Sequence, residues 1–450
     1  MSARRPAREC KIYDWGQPDA SAEIDKLSRI IDVNRGSMTR RSSRWLGIGL
    51  LAGASAGLLE VASTMNPAFA LGDDTALIMG YAGTSDPDEA YVTTVMNEFI
   101  DPNPPYFAGQ PVYPGYAPLV LSTPEGADYQ QVLTQGASDL NQGIMQQLAD
   151  GNKVVVYGYS ESTSIATQEM INLAALPADQ QPNPADLQFV LVEDLNNPDG
   201  GFANRFPYLE TESFPATPAD TAYTTDIYNV EYSGSSDFPQ YPSDLLADLN
   251  AVAGYIDLHP FLLPDWPTSF TASEIAGAVL EPTSPGYDGS TEYFLIPTQD
   301  LPLLDGLRAV DPALADLIQP DLRVLIDLGY DRTGYADVTT PADWSMPNID
   351  WTTVDAELAL GAQQGMTAAE VDLGILPTSD LPDLYPYLPD LSGLESGSVG
   401  AAATTAATAA ALPAASAVWA DLSSYATTEL GALFGPSTAA DLLSGLTGLF

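Results

Sequence analysis

A serine hydroxyl attacks a carbonyl at neutral pH only when the backbone exposes it and a base stands beside it. One stretch of the chain has the form that exposes it. Gly158-Tyr159-Ser160-Glu161-Ser162 follows the β-branched run KVVVY (Lys153 to Tyr157) and precedes a stretch of helical character. A strand that turns sharply into a helix carries its central serine at the C-terminal edge of a sheet, provided the flanking residues are small. Gly158 meets that need on one side. Ser162 stands where glycine is commoner, and is small enough. The helix start behind Ser160 offers positive potential to an oxyanion. The backbone N–H of Glu161 is the first expected donor. A second is expected from the loop after the first strand, Gly80-Tyr81-Ala82-Gly83-Thr84, through Tyr81 or Ala82; an ordinary glycine turn is the alternative reading of that loop.

The base is histidine by preference, and the chain has a single one, His259. A lone histidine is usually an ordinary surface or core residue. Here it follows a helical stretch downstream of Ser160, in the chain order Ser, acid, His of the α/β-hydrolase class. The orienting acid should follow a strand between the two. Asp237, in Ser236-Asp237-Phe238-Pro239, follows the run that ends at Tyr232 and is the expected acid. Asp257 is two residues from His259, too local for the pairing, and Asp226 and Glu231 fall inside the strand.

These residues need a sheet to hold them. Strands are expected at Thr75–Met79, Lys153–Tyr157, Leu187–Val192, Ala222–Tyr232 and Glu292–Ile296, since these are short apolar or alternating runs. Helical spacing marks 129–149, Ser162–Ala174, Asp244–Leu258 and Ala313–Leu328. Alternation of the two implies an α/β fold with a mainly parallel sheet and helices on both faces.

Composition sets limits on partners. Over 450 residues the formal net charge is −45, and 45% of residues are hydrophobic. Ten of the 15 basic residues precede Trp45, so the rest of the chain is strongly acidic. Such a surface repels nucleic acid and anionic membrane. The single cysteine, Cys10, and single histidine rule out a disulfide framework and a His- or Cys-rich metal site. No loop has EF-hand spacing; no metal and no cofactor are expected.

The N-terminal region reads as a targeting segment. Arg40, Arg41 and Arg44 precede the uncharged run from Trp45 to Leu59, and Ala68-Phe69-Ala70 follows with small residues at a peptidase's two recognition positions. The expectation is an upstream extension over 1–37, a signal peptide over 38–70 cleaved after Ala70, and a secreted product; an uncleaved anchor is the alternative. The hydrolase-like domain is expected over 71–335. Residues 336–450 turn rich in Pro, Asp, Gly and then Ala, and read as a partly helical, partly disordered tail. A solvated tail is expected, with contact to the cell envelope as the alternative.

Taken together, the motifs resemble those of the PE-PPE domain family of mycobacterial proteins, cutinase-like α/β serine hydrolases. The resemblance covers about residues 75–335. It rests on ALIMG at 76–80 with Gly83, GYSES at 158–162, and PDGG at 198–201 followed by Arg205-Phe206. It rests also on SDFPQYPSDLLADLNAVAGY at 236–255 leading to His259, on YFLIPTQDLPLL at 293–304, and on QPDLRVLIDLGY at 319–330. The resemblance implies Ser160, Asp237 and His259 as the triad. It implies activity on acyl esters, and some members resemble acyltransferases that build envelope glycolipids. Two departures stand out: the family's first-strand loop usually reads Gly-Gly-Thr-Gly, against Gly80-Tyr81-Ala82-Gly83 here, and a signal-like segment stands where a PE or PPE helical module is usual. The apolar stretch after His259, with Phe261, Leu262, Leu263, Trp266 and Phe270, is either a lid over a lipid-like acyl or lipid substrate or ordinary core. A non-catalytic binding protein on a retained scaffold is the reading from outside enzymology.

Overall fold

Seven strands make one sheet in the order β2-β1-β3-β4-β5-β7-β6. They are β1 (Thr75–Met79), β2 (Ala117–Leu121), β3 (Val154–Tyr159), β4 (Leu187–Val192), β5 (Thr224–Val230), β6 (Val279–Leu280) and β7 (Thr291–Ile296). All neighbours pair in parallel except β6, which runs antiparallel to β7 at the edge. The computed structural model describes residues 74–81, 87–101, 113–124, 129–207, 215–262, 270, 272–345 and 347–381. The expected targeting segment, the tail beyond 381, Ala82, and Leu263 and Trp266 lie outside them.

The sheet is covered on both faces because its strands are apolar on both. Along β3, Val154 and Val156 face one layer while Val155, Tyr157 and Tyr159 face the other, the period-two alternation of a pleated strand. The first layer holds α2 (Tyr129–Ala149) and α3 (Glu161–Ala175), with Val132, Leu140, Ile144, Ile165 and Met170 buried against the sheet. The second holds α1 (Glu89–Val95), with Tyr91 and Val95, and also Ala247 of α4 (Leu245–Asp257) and Ile326 of α5 (Pro312–Asp327). The expected strands and helices are all present, with shifts of a few residues at their ends. The expected α/β class, with helices on both faces of a mainly parallel sheet, is the class observed.

The described part of the segment read as a partly helical tail contains α6 (Trp351–Asp372), capped by the Asp350 carboxylate on the Thr352 N–H. This helix packs along α5. At Gly365 a Cβ would fall 2.1 Å from the Leu317 carbonyl oxygen, so only glycine permits the approach. Small residues (Gly361, Gly365, Ala368) do the packing in place of large apolar ones, and for that reason an apolar-periodicity reading passes over this helix.

An acidic chain that buries carboxyl groups must keep some of them protonated. Asp194 and Asp226 are buried. Burial pushes their carboxyls up to about 6 and about 7, from an unfolded value of roughly 3.9. One Asp226 oxygen accepts the Tyr113 hydroxyl at 2.8 Å, and the other has no hydrogen-bond partner among the described residues. Between the unfolded and folded values the native state binds more protons than the unfolded one, so its stability falls as pH rises through that window. Thermal denaturation is therefore expected to show a higher Tm at pH 5 than at pH 8, and Asp226→Asn should flatten the slope. A Tm rising steadily from pH 5 to 8 would contradict this account.

Candidate active site

Ser160 stands between β3 and α3 with φ 58° and ψ −122°. Few non-glycine residues tolerate that backbone, and the strain is typical of functional turns. The turn is held from within. Ser162 Oγ accepts the Tyr159 N–H at 2.8 Å and donates to the Tyr159 carbonyl at 3.0 Å. The Ser160 N–H donates to the Val192 carbonyl at 3.1 Å, tying the turn to the end of β4. A Cβ on Gly158 would lie 3.0 Å from the Ser162 carbonyl oxygen, so the small residue required on that side is required by backbone. Serine at 162 is more than small enough: its hydroxyl closes the turn.

Ser160 Oγ lies 2.8 Å from His259 Nε2. His259 follows the last turn of α4, its N–H donating to the Gly254 carbonyl at 3.0 Å. Gly254 lets this helix end approach the chain after β5, since a Cβ there would sit 2.0 Å from the Tyr232 carbonyl oxygen. The ring's other nitrogen, Nδ1, lies 2.8 Å from Glu193 Oε2 and 2.7 Å from Ser235 Oγ. Serine, histidine and glutamate thus form one hydrogen-bonded line across the C-terminal edge of the sheet.

Glu193 is the residue that sequence reasoning missed. It is fully buried at the end of β4, with φ 55°. Its Oε1 accepts the Val230 N–H at 2.7 Å and the Ser236 hydroxyl at 2.8 Å. Its Oε2 accepts the Ser235 hydroxyl at 2.7 Å and the Ser233 hydroxyl. Burial pushes this carboxyl up. The hydrogen bond and charge of His259, with the Ser233 and Ser235 hydroxyls, outweigh burial and hold it below the usual glutamate range. It therefore stays ionised at neutral pH inside the core, as an acceptor for Nδ1–H must. The sequence carried a signal: Glu193 is the first residue after LQFVLV, and the cluster Ser233, Ser235, Ser236 two elements later needs an acceptor.

Asp237 does not reach the imidazole, which corrects the expected triad. Its carboxylate is engaged on the other side of the 233–237 turn. Oδ1 and Oδ2 accept Arg332 Nη1 and Nη2 at 2.8 and 2.9 Å, and Oδ2 also accepts the Tyr232 N–H at 2.8 Å. A bidentate guanidinium fixes both oxygens. Asp237 anchors the turn whose serines hold Glu193. Glu281, beside the same cluster of Asp199, Asp237, Arg205 and Arg332, is pushed up to about 8 by burial first and by the neighbouring carboxylates next.

Of the expected oxyanion donors, Glu161 is the first residue of α3 and Tyr81 follows β1, the neighbour of β3 in the sheet. The Tyr81 ring packs edge-on at 6.2 Å from Tyr159 and 5.8 Å from Tyr91. Ala82 lies outside the described residues. In the stretch after His259, Phe261 and Leu262 are core residues, Phe261 standing edge-on to Tyr159 at 6.0 Å and to Phe270 at 5.1 Å. In the described part of this stretch these side chains are core packing. Among the described residues no cluster of His, Cys, Asp and Glu could hold a metal ion, and no helix is long and apolar enough to cross a membrane.

A family model described as PE-PPE domain matches residues 108–331. The chain is 42% identical over 330 residues to PE family protein PE3 of Mycobacterium tuberculosis, covering 70% of this chain and 67% of that protein. It is 40% identical over 339 residues to Esterase PE16 of the same organism, covering 72% of this chain and 61% of the other. SL1278 acyltransferase Chp1, also from that organism, is 29% identical over 223 residues, covering 47% of this chain and 51% of Chp1. The chain thus spans about two thirds or less of the length of these relatives.

Proposed function

Because the chain belongs to the PE-PPE domain family, we propose that it is a serine hydrolase of carboxylic esters acting through an acyl-serine intermediate. The observation that carries this reading is the line Ser160 Oγ, His259, Glu193, with 2.8 Å at each step. In it, Nε2 takes the Ser160 proton as Oγ attacks the ester carbonyl. Glu193 keeps the Nδ1–H tautomer facing it and stabilises the imidazolium. The oxyanion is met by backbone donors at the start of α3, with Glu161 first, and at Tyr81 after β1. His259 then returns the proton to the leaving alcohol, and water attacks the acyl-enzyme with His259 again as base. Medium or long acyl chains are the proposed substrates, with the half-buried Tyr81, edge-on to Tyr159 beside the Ser160 turn, as the aromatic side chain placed to meet them.

The second reading, favoured by the likeness to Chp1, is an acyltransferase with the same first half-reaction and a sugar hydroxyl in place of water. Export, with cleavage after Ala70, belongs to the proposal through the charge and apolar pattern of residues 38–70.

The test is a series of p-nitrophenyl esters of rising chain length, with trehalose or glycerol added to a lipid-ester assay. Free fatty acid is the expected dominant product. A dominant acylated acceptor moves the assignment to the transferase, and no turnover of any acyl ester removes both.

A further inference from the structure

His259 is held by more than its two hydrogen-bonded neighbours. Its ring is stacked against Tyr255, with centroids 5.2 Å apart and planes 19° apart, and against Tyr159, at 5.6 Å and 23°. Tyr255 lies in the last turn of α4, and just past the helix C-cap the chain, with the His259 N–H on the Gly254 carbonyl, carries the imidazole back beside it. Tyr159 immediately precedes the serine, and its hydroxyl donates to the His259 carbonyl. Two electron-rich ring faces therefore lie within reach of a single imidazole.

An aromatic face attracts a cation within about 6 Å of its centroid, and more strongly where water is excluded. Ser160 and His259 are each only 8% exposed. A neutral imidazole has no net charge to exploit this, whereas the imidazolium formed on proton transfer does. The stack is thus worth more in the transition state than in the ground state, which is the condition for accelerating a step. The helix end adds to it, since the C-terminal carbonyls of α4 also favour a cation.

We propose that Tyr255 is a positioning residue that fixes the His259 ring plane between Ser160 and Glu193 and stabilises the imidazolium formed when His259 takes the Ser160 proton. The inference rests on the Ser160–His259 reading above and deepens it. In the step concerned, the Oγ–carbonyl carbon bond forms as the Oγ–H bond breaks, the carbonyl π pair moves to its oxygen as the oxyanion, the proton passes to Nε2, and the Nδ1–H bond to Glu193 is kept. The other groups that face the ring are Ser235 of the 233–237 turn, Tyr159 and Ser160 of the β3–α3 turn, and Glu193 after β4. Asp257 lies on the same helix end, its carboxyl raised by burial.

Because the chain has one histidine, an untagged protein labelled with ¹⁵N-histidine gives imidazole signals that belong to His259 alone. Three variants are compared with the full chain: Tyr255→Phe, Tyr255→Leu, and Tyr255→Met, which keeps much of the volume without a ring. For Leu and Met, kcat is expected to fall about fivefold to thirtyfold with KM within about twofold. For both, the acid limb of the kcat/KM profile and the NMR titration midpoint should move to lower pH by about one unit, the same factor expressed in protons. Tyr255→Phe keeps the ring and should stay within about twofold of the parent on every measure. Unmoved midpoints in both ringless variants, or a Phe variant as impaired as they are, overturns the proposal. Failure of the underlying reading shows elsewhere, as turnover that survives Ser160→Ala; the titration itself needs no activity.

Discussion

Ser160→Ala is expected to abolish ester turnover, with kcat falling by about 10⁶, the scale found when a triad nucleophile is removed. The reason is local. The β3–α3 turn exposes one hydroxyl to His259 Nε2, and the nearby Ser162 hydroxyl is committed to closing the turn on the Tyr159 backbone. Among the described residues no second hydroxyl is hydrogen-bonded to His259 Nε2. The fold should persist, because the turn is held by those Ser162 bonds and by the Ser160 N–H on Val192, none of which needs Oγ. A fluorophosphonate probe should label Ser160 in the parent protein and nothing in the variant, with unchanged circular dichroism. Label on another serine, or ester hydrolysis retained by the variant, would sink the nucleophile assignment.

Glu193→Gln is expected to lower kcat by roughly 10⁴, the size of the effect when the acid of a serine-protease triad becomes an amide. An amide nitrogen facing Nδ1 turns that nitrogen into an acceptor and puts the proton on Nε2, where it blocks proton transfer from Ser160. The Ser233 and Ser235 hydroxyls, which donate to the same oxygen, lose their acceptor, while the Val230 N–H and Ser236 hydroxyl keep Oε1, so some stability goes with it.

Asp237→Asn provides the contrast. It weakens a bidentate pair with Arg332, both side chains largely buried, and removing one partner of such a pair costs on the order of 3 kcal/mol. Its expected signature is a lower Tm, with kcat within about tenfold below the transition. Melting curves and kinetics on the two variants separate the roles. If Asp237→Asn lost four decades of kcat at full stability while Glu193→Gln stayed active, the orienting acid would be Asp237 after all.

The nucleophile turn, the base and the layered α/β fold were legible because each is written locally. KVVVYGYSES places a buried strand, a turn and a helix start within ten residues, and a chain with one histidine leaves one candidate base. Five of the sheet's strands announce themselves by β-branched or apolar runs. The less legible elements have weak local signatures: β2 contains a proline and is only partly buried, β6 is two residues long, and α6 packs through glycine and alanine.

Which acid pairs with the histidine was decided by tertiary structure. A carboxylate's role depends on which donors surround it, and 60 acidic residues share the same local chemistry. Parallel pairing of β3 with β4 and of β4 with β5 brings the end of β4 beside the Ser160 turn and the Val230 N–H. The close approach of α4 at Gly254 then brings His259 and the serine turn onto the same carboxylate. Asp237 sits one residue past Ser236 on that turn, so in sequence it looks as well placed as any acid. In space its carboxylate faces Arg332, 95 residues away, while the neighbouring serines face Glu193. Sequence determined what the site is made of; the register of three strands and one glycine-tight contact determined which of its acids touches the histidine.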